Sequence, residues 1–383
     1  MMNQTPRVIA GTLELNENGP GYLREAQRNF AVDQSNLQVP RELIERLRLR
    51  GGELITAAWG VGKRGRGRRV VRAIETIFGQ PAERYSQVAS FDDLQVVHPS
   101  EQLKFETTDG PMTMRVVDLF TPIGKGQRAL LVAPPRTGKT VLLQHMSEGA
   151  RTNHPESLLM MLLVDERPEE VTEMRRAVCR DGSGWEQGLP EVVYSSNDCE
   201  PKNHARISRL MIDRAKRYVE MGKDVVILLD SLTRLSRAFN TIIGSSGRTM
   251  TGGLDIRALA VPKTIFGAAR KVESGGSLTI IASVLVETGS RMDDFIFQEF
   301  KGTGNMELVL SRELANLRTW PAANLSESGT RKEEMLLGQD AYDKMSRVRR
   351  RLLSMPPARQ METILGEFSK YPSNLAYLKN LAS

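Results

Sequence analysis

Residues 133–140 read APPRTGKT, and this stretch decides the fold of the chain. It follows an apolar run at 128–133 and precedes residues 140–146 (TVLLQHM), which have the apolar spacing of a helix. A strand, a tight loop and a helix beginning at Gly-Lys-Thr predict a phosphate-binding loop, whose backbone N–H groups face phosphate oxygens. We expect Lys139 to face the β- and γ-phosphates of ATP and the Thr140 hydroxyl to ligate Mg²⁺.

The loop departs from the usual GxxxxGK[ST] pattern at its first position. Ala133 replaces the first glycine, and Pro134 and Pro135 restrict φ, so the loop is stiffened by proline. An ordinary turn before a helix stays open as an alternative until the rest of the chain is considered.

Composition and charge limit the class of protein. The 383 residues are enough for two or three domains, and 40% hydrophobic with 26% charged residues is typical of a soluble globular chain. The net charge of +7 fits a polyanionic partner. The longest apolar run, at 158–164, is too short to cross a membrane, and no signal peptide or cysteine framework is recognisable. We therefore predict a reduced cytoplasmic protein without a membrane partner.

The apolar pattern divides the chain into three parts. Short alternating stretches at 1–82 predict a small all-β barrel of about five strands, with a helix near 41–49. Residues 83–112 lack periodicity and are predicted to be a linker. Residues 113–383 alternate apolar runs with helical segments, which predicts a mostly parallel sheet flanked by helices. The predicted strands of this sheet are 128–133, 158–165, 191–194, 225–230, 278–284 and 306–310.

Two further strands end in carboxylates. Asp230 closes an apolar run, and at the carboxyl end of a strand it would hold Mg²⁺ through water. Asp165 and Glu166 close another run, and we expect Glu166 to orient or deprotonate the attacking water. The alternative, that this acidic pair only caps the helix that follows, stays open.

Several segments suggest contact with nucleic acid. Residues 63–69 (KRGRGRR) carry five basic side chains, which could track phosphates or form a solvated charge run. Tyr22 in GPGYLR is a candidate for base stacking, or a residue of the barrel core. The glycine-containing loops at 243–255 and 287–294 would grip a strand in a channel or lie on the surface. Arg331 is either an arginine finger or a solvated side chain.

Longer strings raise the specificity of these interpretations. They are APPRTGKT (133–140), VDERPEEVTEM (164–174), LLDS (228–231), FGAAR (266–270), GGSLTII (275–281), FKGTGNMEL (300–308) and SGTRKE (328–333). Over nearly its whole length the chain resembles the Rho family of bacterial transcription termination factors. The resemblance implies an α/β RecA-like P-loop ATPase domain with an N-terminal all-β OB-fold of the cold-shock-like type.

The same resemblance implies an activity. Members form homohexameric rings that bind ATP at subunit interfaces and move 5′→3′ along nascent single-stranded RNA. They act as RNA–DNA helicases and terminate transcription by releasing the transcript from RNA polymerase. The alternatives are another hexameric RecA-fold ATPase, of the rotary or secretion type, and a non-motor RNA-binding protein.

Residue roles follow from matching positions in the family pattern. Catalysis is implied for Glu166, Lys139, Asp230 and Arg331, and Mg²⁺ binding for Thr140 and, through water, Asp230. ATP binding is implied for Gly124, Lys125, Gly126, Gln127, Arg128, Ala129, Arg136, Thr137, Gly138, Lys139, Thr140, Val141, Arg167 and Arg318. RNA binding is implied for Gly19, Pro20, Gly21, Tyr22, Leu23, Arg24, Gln38, Arg66, Arg68, Arg248 and Arg291.

The N-terminal part departs from the family pattern. The best-known members carry GFGF where this chain has GPGY, so Pro20 replaces a stacking aromatic residue. Gln38 replaces a second aromatic residue, and arginines occupy the loop where a third is expected. We also expect no counterpart of the family's helical subdomain ahead of the first strand. We therefore predict RNA binding with more electrostatic energy, less stacking and a weaker preference for pyrimidines. Arg291 stands where the best-known members carry Lys and keeps the charge.

Overall fold

The computed structural model describes residues 7–16, 19–62, 69–179, 191–244 and 253–381. The N-terminal part is a barrel closed by a parallel pairing between its third and fifth strands at Gln38 and Val70. Its elements are β1 (Arg7–Glu14), β2 (Gly21–Arg24), β3 (Leu37–Val39), α1 (Arg41–Leu47), β4 (Leu54–Val61), β5 (Arg69–Ile77), β6 (Gln80–Pro81) and α2 (Ala82–Tyr85). The strand β1 pairs antiparallel with β2 and β4, and β4 pairs with β5.

A helix between the third and fourth strands of a five-stranded Greek-key barrel is the arrangement of an OB-fold. Alternate residues of the strands, such as Leu13, Leu23, Val39 and Ile55, point inward and form the barrel core. The predicted barrel and its helix are therefore confirmed.

The segment at 83–112 is packed against the second domain. It contains a 3₁₀ helix (Phe91–Asp93), β7 (Val96–Val97) and β8 (Gln102–Leu103). Phe91 and Phe105 are fully buried in the cores of the second domain. The segment therefore lacks periodicity but is held to the second domain by these two buried phenylalanines. The exact domain boundaries stay predictions.

The second domain is an α/β structure. Its elements up to the middle of the domain are α3 (Met112–Phe120), β9 (Ile123–Gly124), β10 (Arg128–Ala133), α4 (Lys139–Asn153), β11 (Leu158–Val164), α5 (Pro168–Cys179), β12 (Glu191–Ser195), α6 (Pro201–Glu220), β13 (Asp224–Asp230) and α7 (Leu232–Ile243). Those that follow are a 3₁₀ helix (Ile256–Leu259), α8 (Ala260–Gly267), β14 (Arg270–Val272), β15 (Ser277–Leu285), α9 (Arg291–Lys301), β16 (Met306–Val309), α10 (Arg312–Asn316), β17 (Gly329–Thr330), α11 (Glu334–Leu337), α12 (Gln339–Leu352), α13 (Pro357–Phe368) and α14 (Asn374–Asn380).

Six strands of this domain run parallel in the order β12-β11-β13-β15-β10-β16. They read as continuous apolar runs because helices cover both faces of the sheet. One buried cluster lies under α3, α4, α5, α12 and α13, and the other lies under α6 to α9. The carboxyl ends of the strands share one edge, where residues 134–138, 165–166 and 230 lie. All six predicted strands are present. Among the described residues, no helix has the length and apolarity needed to cross a membrane.

The barrel docks on α6 through close contacts. A Cβ on Gly52 would lie 2.4 Å from the backbone nitrogen of Arg214, and the φ of Gly52 is +89°, so glycine is required there. The Asn29 amide donates to the Tyr194 carbonyl (2.8 Å) and accepts from the Tyr194 N–H (3.1 Å). Arg50 pairs with Glu220 at 2.7 Å. These contacts fix the barrel against the second domain.

Candidate nucleotide site and nucleic-acid surface

The phosphate loop connects β10 to α4. Gly138 stands before the helix with a φ of +85°, and the Thr137 hydroxyl donates to the Pro134 carbonyl at 2.7 Å. Arg136 is exposed and has a φ of +66°. Thr140 and Val141 lie in the first helical turn, half-buried and exposed respectively. The loop therefore presents the start of α4 to a ligand, as the sequence predicts.

Lys139 lies between two carboxylates. Its Nζ is 2.5 Å from Asp230 Oδ1 and 3.5 Å from Glu166 Oε1. The Ser283 hydroxyl donates to the same Asp230 oxygen at 2.7 Å. The three predicted catalytic side chains of the carboxyl edge are thus brought together from three elements: α4, the end of β13 and the turn after β11.

Burial governs the protonation of this cluster. It raises the pKa of Glu166 to about 8, and the neighbouring Asp230 carboxylate adds to the rise. Burial alone would lower the pKa of Lys139, but the two carboxylates outweigh it and the net pKa is raised. A carboxyl group whose pKa lies near neutral pH is suited to exchange a proton with water, and the raised pKa of Lys139 keeps its ammonium charged.

The Glu166 carboxylate lies in the site and has an oxygen that can accept a further hydrogen bond. Glu166 is only 3% exposed, and its Oε1 accepts no hydrogen bond in the described structure. The oxygen instead lies within ion-pair distance of Lys139 Nζ and Arg234 Nε, and it remains open to a hydrogen bond from water. No cluster of three or more acidic, histidine or cysteine side chains able to hold a metal occurs among the described residues. Thr140, Asp230 and phosphate oxygens fit Mg²⁺ better than an all-protein site would.

Two side chains near Glu166 were missed by sequence reasoning. Arg234, on the first turn of α7, has its Nε 3.2 Å from Glu166 Oε1 and donates from Nη1 to the Asp165 carbonyl at 2.5 Å. His204 of α6 lies with Nε2 3.9 Å from Asp165 Oδ1, and its Nδ1 is 2.7 Å from the Ser195 hydroxyl. Asp165 therefore faces two basic groups. The sequence contains no signal for either contact, because both join distant elements.

Trp320 is a third residue that sequence reasoning missed. A Cβ on Gly138 would lie 2.8 Å from its indole ring, and the ring is 44% exposed. Arg318, exposed and with a φ of +60°, precedes it in the same turn. The predicted interface arginine thus lies near an aromatic surface beside the phosphate loop.

The stretch 124–129 lies at the amino ends of the parallel strands, away from the phosphate loop. Because β10 separates it from the phosphate loop by about 20 Å, one nucleotide cannot touch both within one chain. Lys125 is instead buried with its Nζ 2.9 Å from Asp224 at the start of β13, and Gln127 donates to Asn305. The contact with ATP that the family pattern implies for this stretch stays a prediction, and within this geometry it can be made only to the nucleotide of another subunit.

Arg331 also lies at the amino ends of the parallel strands, away from the phosphate loop of its own chain. Its N–H donates to the Asn305 carbonyl, and its side chain is exposed. It stands close enough to Arg128 and Arg270 for both Arg270 and Arg331 to lower the pKa of Arg128, after the larger effect of burial. Three arginines therefore gather at the edge away from the phosphate loop of their own chain.

The remaining predicted arginines lie apart from this cluster. The side chain of Arg167 is 64% exposed and reaches Glu170 at 4.0 Å. Arg291 is exposed at the start of α9, after the predicted channel loop. Arg66, Arg68 and Arg248 lie outside the described residues.

The predicted RNA strand is β2, with Gly19 and Pro20 before it. Tyr22 is half-buried on the outer face of the barrel and is the direct cross-strand partner of Gln38. Leu23 points into the barrel core and is 3% exposed, which corrects its assignment as an RNA-contacting side chain. Arg24 is also buried, with its Nε 2.5 Å from Glu14. Of the predicted strand, Tyr22 offers an accessible aromatic ring.

Comparison with known proteins agrees with this geometry. The profile of the ATP synthase alpha/beta family, nucleotide-binding domain, matches residues 113–330. A solved ATPase from the type III secretion system of pathogenic bacteria superposes with a TM-score of 0.59 at 20% identity, over 76% of this chain and 84% of that one. At this identity the likeness shows the fold, which is the predicted RecA-like P-loop fold.

Full-length relatives are more informative. Transcription termination factor Rho of Chromobacterium violaceum is 44% identical over 97% of this chain and 87% of its own length. The Rho proteins of Streptomyces coelicolor and Aquifex aeolicus are 46% and 43% identical, over 98% and 97% of this chain and 86% and 84% of their own lengths. The chain therefore belongs to the Rho family of transcription termination factors.

Proposed function

We propose that this chain is a cytoplasmic RNA-dependent ATPase that moves 5′→3′ along nascent single-stranded RNA as a hexameric ring. It separates RNA–DNA hybrids and terminates transcription by releasing the transcript from RNA polymerase. The observation that carries the proposal is the cluster of Lys139, Asp230 and Glu166 beside a phosphate loop, in a chain of the Rho family that also carries an OB-fold.

Each group of the cluster has a role in hydrolysis. The N–H groups at the start of α4 and the Lys139 ammonium hold the phosphates of ATP, so Lys139 exchanges part of its contact with Asp230 for phosphate oxygen. Glu166 orients the attacking water and accepts its proton at Oε1, and Arg234 holds the Glu166 carboxylate in place. Thr140 and, through water, Asp230 would hold Mg²⁺, which neutralises phosphate charge when bound.

The nucleotide site is completed by a neighbouring subunit. Arg331 lies at the edge of the sheet opposite its own phosphate loop, so it acts as an arginine finger only on a second subunit. Arg128, the partly accessible residue of the stretch 124–129, lies near Arg331 and would approach the same neighbouring nucleotide, while the rest of the stretch is buried and supports its position. This placement supports ATP binding between subunits of a ring.

The exposed residues around the phosphate loop contact the rest of the nucleotide. The Trp320 ring offers a flat apolar surface to the base, and Arg136 and Arg318 are exposed in the same region. Arg167, at the turn after Glu166, is placed to face the γ-phosphate.

RNA contacts are proposed on two surfaces. Tyr22 and Gln38 on the outer face of the barrel, with the basic loop that contains Arg66 and Arg68, form the primary site. Arg291 and the loop around Arg248 grip RNA in the channel of the ring.

Two other functions are tested by the same experiment. A rotary or secretion-type ATPase shares the fold of the second domain but would hydrolyse ATP without RNA. A non-motor RNA-binding protein would bind RNA without turnover, although the assembled Lys139–Asp230–Glu166 cluster argues against a decayed site.

The experiment measures ATP hydrolysis with and without single-stranded RNA, for the wild type and for Lys139→Ala. Turnover that RNA stimulates and that Lys139→Ala abolishes supports the proposal. RNA-independent turnover favours the rotary or secretion type, and RNA binding without any turnover favours the non-motor protein.

A further inference from the structure

A groove runs between the OB barrel and α6 of the ATPase domain. Its volume is about 1310 Å³. This exceeds the roughly 300–1,000 Å³ of small-molecule sites, so the groove suits an extended chain better than a compact ligand. One wall is the outer face of β2 and β3, with Tyr22 and Gln38, and the other is the exposed face of α6.

The α6 wall is basic. Lys202, Arg206 and Arg209 are spaced four and three residues apart, so they share one face of the helix. Lys202 and Arg209 are exposed, and the Arg209 guanidinium lies over the Phe239 ring, with its carbon 5.3 Å from the ring centre. This guanidinium also acts on the Asp213 carboxyl, and both basic side chains line the groove.

The acidic side chains that line the groove are compensated. Glu14 accepts from Arg24 and from Arg206 Nη1, at 2.5 and 3.0 Å, and Asp33 pairs with Arg28 at 2.5 Å. Burial raises the pKa of Asp213 to about 6, and the nearby charges of Lys216, Arg217 and Arg209 compensate its carboxylate. Among the described lining residues, five are basic and three are acidic. The groove is thus electropositive overall and suits a polyanion.

The two walls are held at a fixed separation. Arg206 joins them, because it binds Glu14 of β1 and also donates from Nη2 to the Phe30 carbonyl at 3.1 Å. The close approach of Gly52, a lining residue, to the backbone of Arg214 is a second contact between the barrel and α6. Exposed apolar residues at its rim, Leu15, Val32 and Ile242, offer surfaces for base faces beside the Tyr22 ring. The groove therefore combines phosphate-binding and base-binding surfaces without a domain movement.

We propose that α6 forms the second wall of the primary RNA site, with Lys202 and Arg209 binding the phosphates of the strand whose bases lie against Tyr22 and Gln38. The proposal rests on the proposed function and adds to it an RNA contact in the ATPase domain itself. It also supplies part of the electrostatic energy predicted for a barrel with few aromatic residues.

The test compares two double variants of the full-length chain. Lys202→Gln with Arg209→Gln removes two charges from the groove, and Arg347→Gln with Arg350→Gln removes two exposed charges from α12, on the other face of the sheet. Binding of a short fluorescein-labelled single-stranded RNA is measured by anisotropy over a series of salt concentrations. Glutamine keeps most of the side-chain stem, so both variants should melt at the wild-type temperature.

We expect the groove variant to bind RNA about tenfold more weakly, with a salt slope less steep by about 1.4, since each phosphate contact on a single strand contributes about 0.7. The α12 variant should bind as the wild type does. Equal affinity and equal slope in the two variants would overturn the proposal, as would an affinity loss in which the slope stays unchanged.

A second measurement detects the contact directly. RNA carrying 4-thiouridine is cross-linked to the wild-type chain by ultraviolet light, and cross-linked peptides are mapped by mass spectrometry. Cross-links to the segment 202–209 support the proposal, and cross-links confined to the barrel contradict it. A wild-type chain that neither binds RNA nor shows RNA-stimulated turnover would instead refute the proposed function, so the two failures are distinguishable.

Discussion

Lys139 reaches across the sheet to place its Nζ 2.5 Å from Oδ1 of Asp230, at the end of a strand that does not adjoin its own. The strand β15 lies between them, and its Ser283 donates to the same oxygen. Side chains from α4 and β15 thus meet the carboxylate at the end of β13, and Glu166 joins them from the turn after β11. We therefore expect turnover to depend on Glu166.

Glu166→Gln should abolish turnover while leaving ATP binding intact. The amide cannot accept a proton from water, and the loss of a general base typically costs about 10²–10⁴ in rate. Steady-state hydrolysis and the affinity for a fluorescent ATP analogue are the measurements. Glu173→Gln, an exposed residue of α5, is the matched control and should keep most of the activity.

The pH dependence of stability should also change in Glu166→Gln. The folded chain keeps a proton on Glu166 up to about pH 8, whereas the unfolded chain releases it near the ordinary value of 4.5. Stability therefore falls as the pH rises between these two values. The wild type should lose melting temperature more steeply than Glu166→Gln over this range, although Lys139, Asp230 and Arg234 face the same group. Parallel melting curves for the two proteins from acidic to alkaline pH would contradict the assignment.

Gly138→Ala should weaken ATP binding more than it weakens folding. A left-handed conformation costs a residue other than glycine about 1–2 kcal/mol, and the new Cβ would also meet the Trp320 ring. Gly222→Ala is the control, because Gly222 has a φ of +77° but nothing within 4 Å of the new Cβ. Calorimetric titration with ATP should show a loss of affinity for Gly138→Ala alone. Equal affinities for the two variants would mean that the loop tolerates the change.

Arg331→Ala should lower turnover by about 10³ without lowering nucleotide affinity in isolated subunits. The reason is that Arg331 lies at the amino ends of the strands, away from its own phosphate loop, so that it would act only across the proposed subunit interface. Lys332→Ala is the control, since this neighbouring exposed side chain contacts His98 at 2.9 Å. If both variants hydrolyse ATP at the wild-type rate, Arg331 is a surface residue.

Gln38→Tyr should tighten RNA binding and increase the preference for pyrimidines. The new ring would stand beside Tyr22, its cross-strand partner, and base stacking contributes about 1–3 kcal/mol per base. Affinities for oligocytidylate and oligoadenylate are compared by anisotropy. Gln87→Tyr, exposed and away from the groove, should leave both affinities unchanged. No gain for Gln38→Tyr would mean that bases do not lie on this part of the barrel.

The positions of the parallel strands, and of the residues at their carboxyl ends, could be predicted from the sequence. Apolar runs located all six parallel strands because buried parallel strands have no polar alternation to obscure them. Strand direction then placed Lys139, Glu166 and Asp230 at one edge. The same rule, applied to residues that precede β10, would have placed the stretch 124–129 at the opposite edge.

Contacts between distant segments could not be predicted. Trp320 meets Gly138 across about half the length of the chain, and nothing local marks either residue as a partner. Gly52 reads as a turn glycine, but its role is the approach to α6. Leu23 lies within the predicted RNA-binding motif, but it points into the barrel core because side chains alternate between the two faces of a strand. The roles of these residues depend on how helices and strands pack against one another, which no local pattern in the sequence indicates.

The helix α6 touches both sites of the molecule. At one end His204 faces Asp165, next to Glu166, and farther along the helix Arg209 lines the groove. A helix of 20 residues is about 30 Å long and moves as one body. If RNA in the groove shifts α6 and thereby changes the affinity for ATP, thermodynamic linkage requires ATP to change the affinity for RNA by the same factor. Such a motor would bind RNA tightly in one nucleotide state and weakly in another.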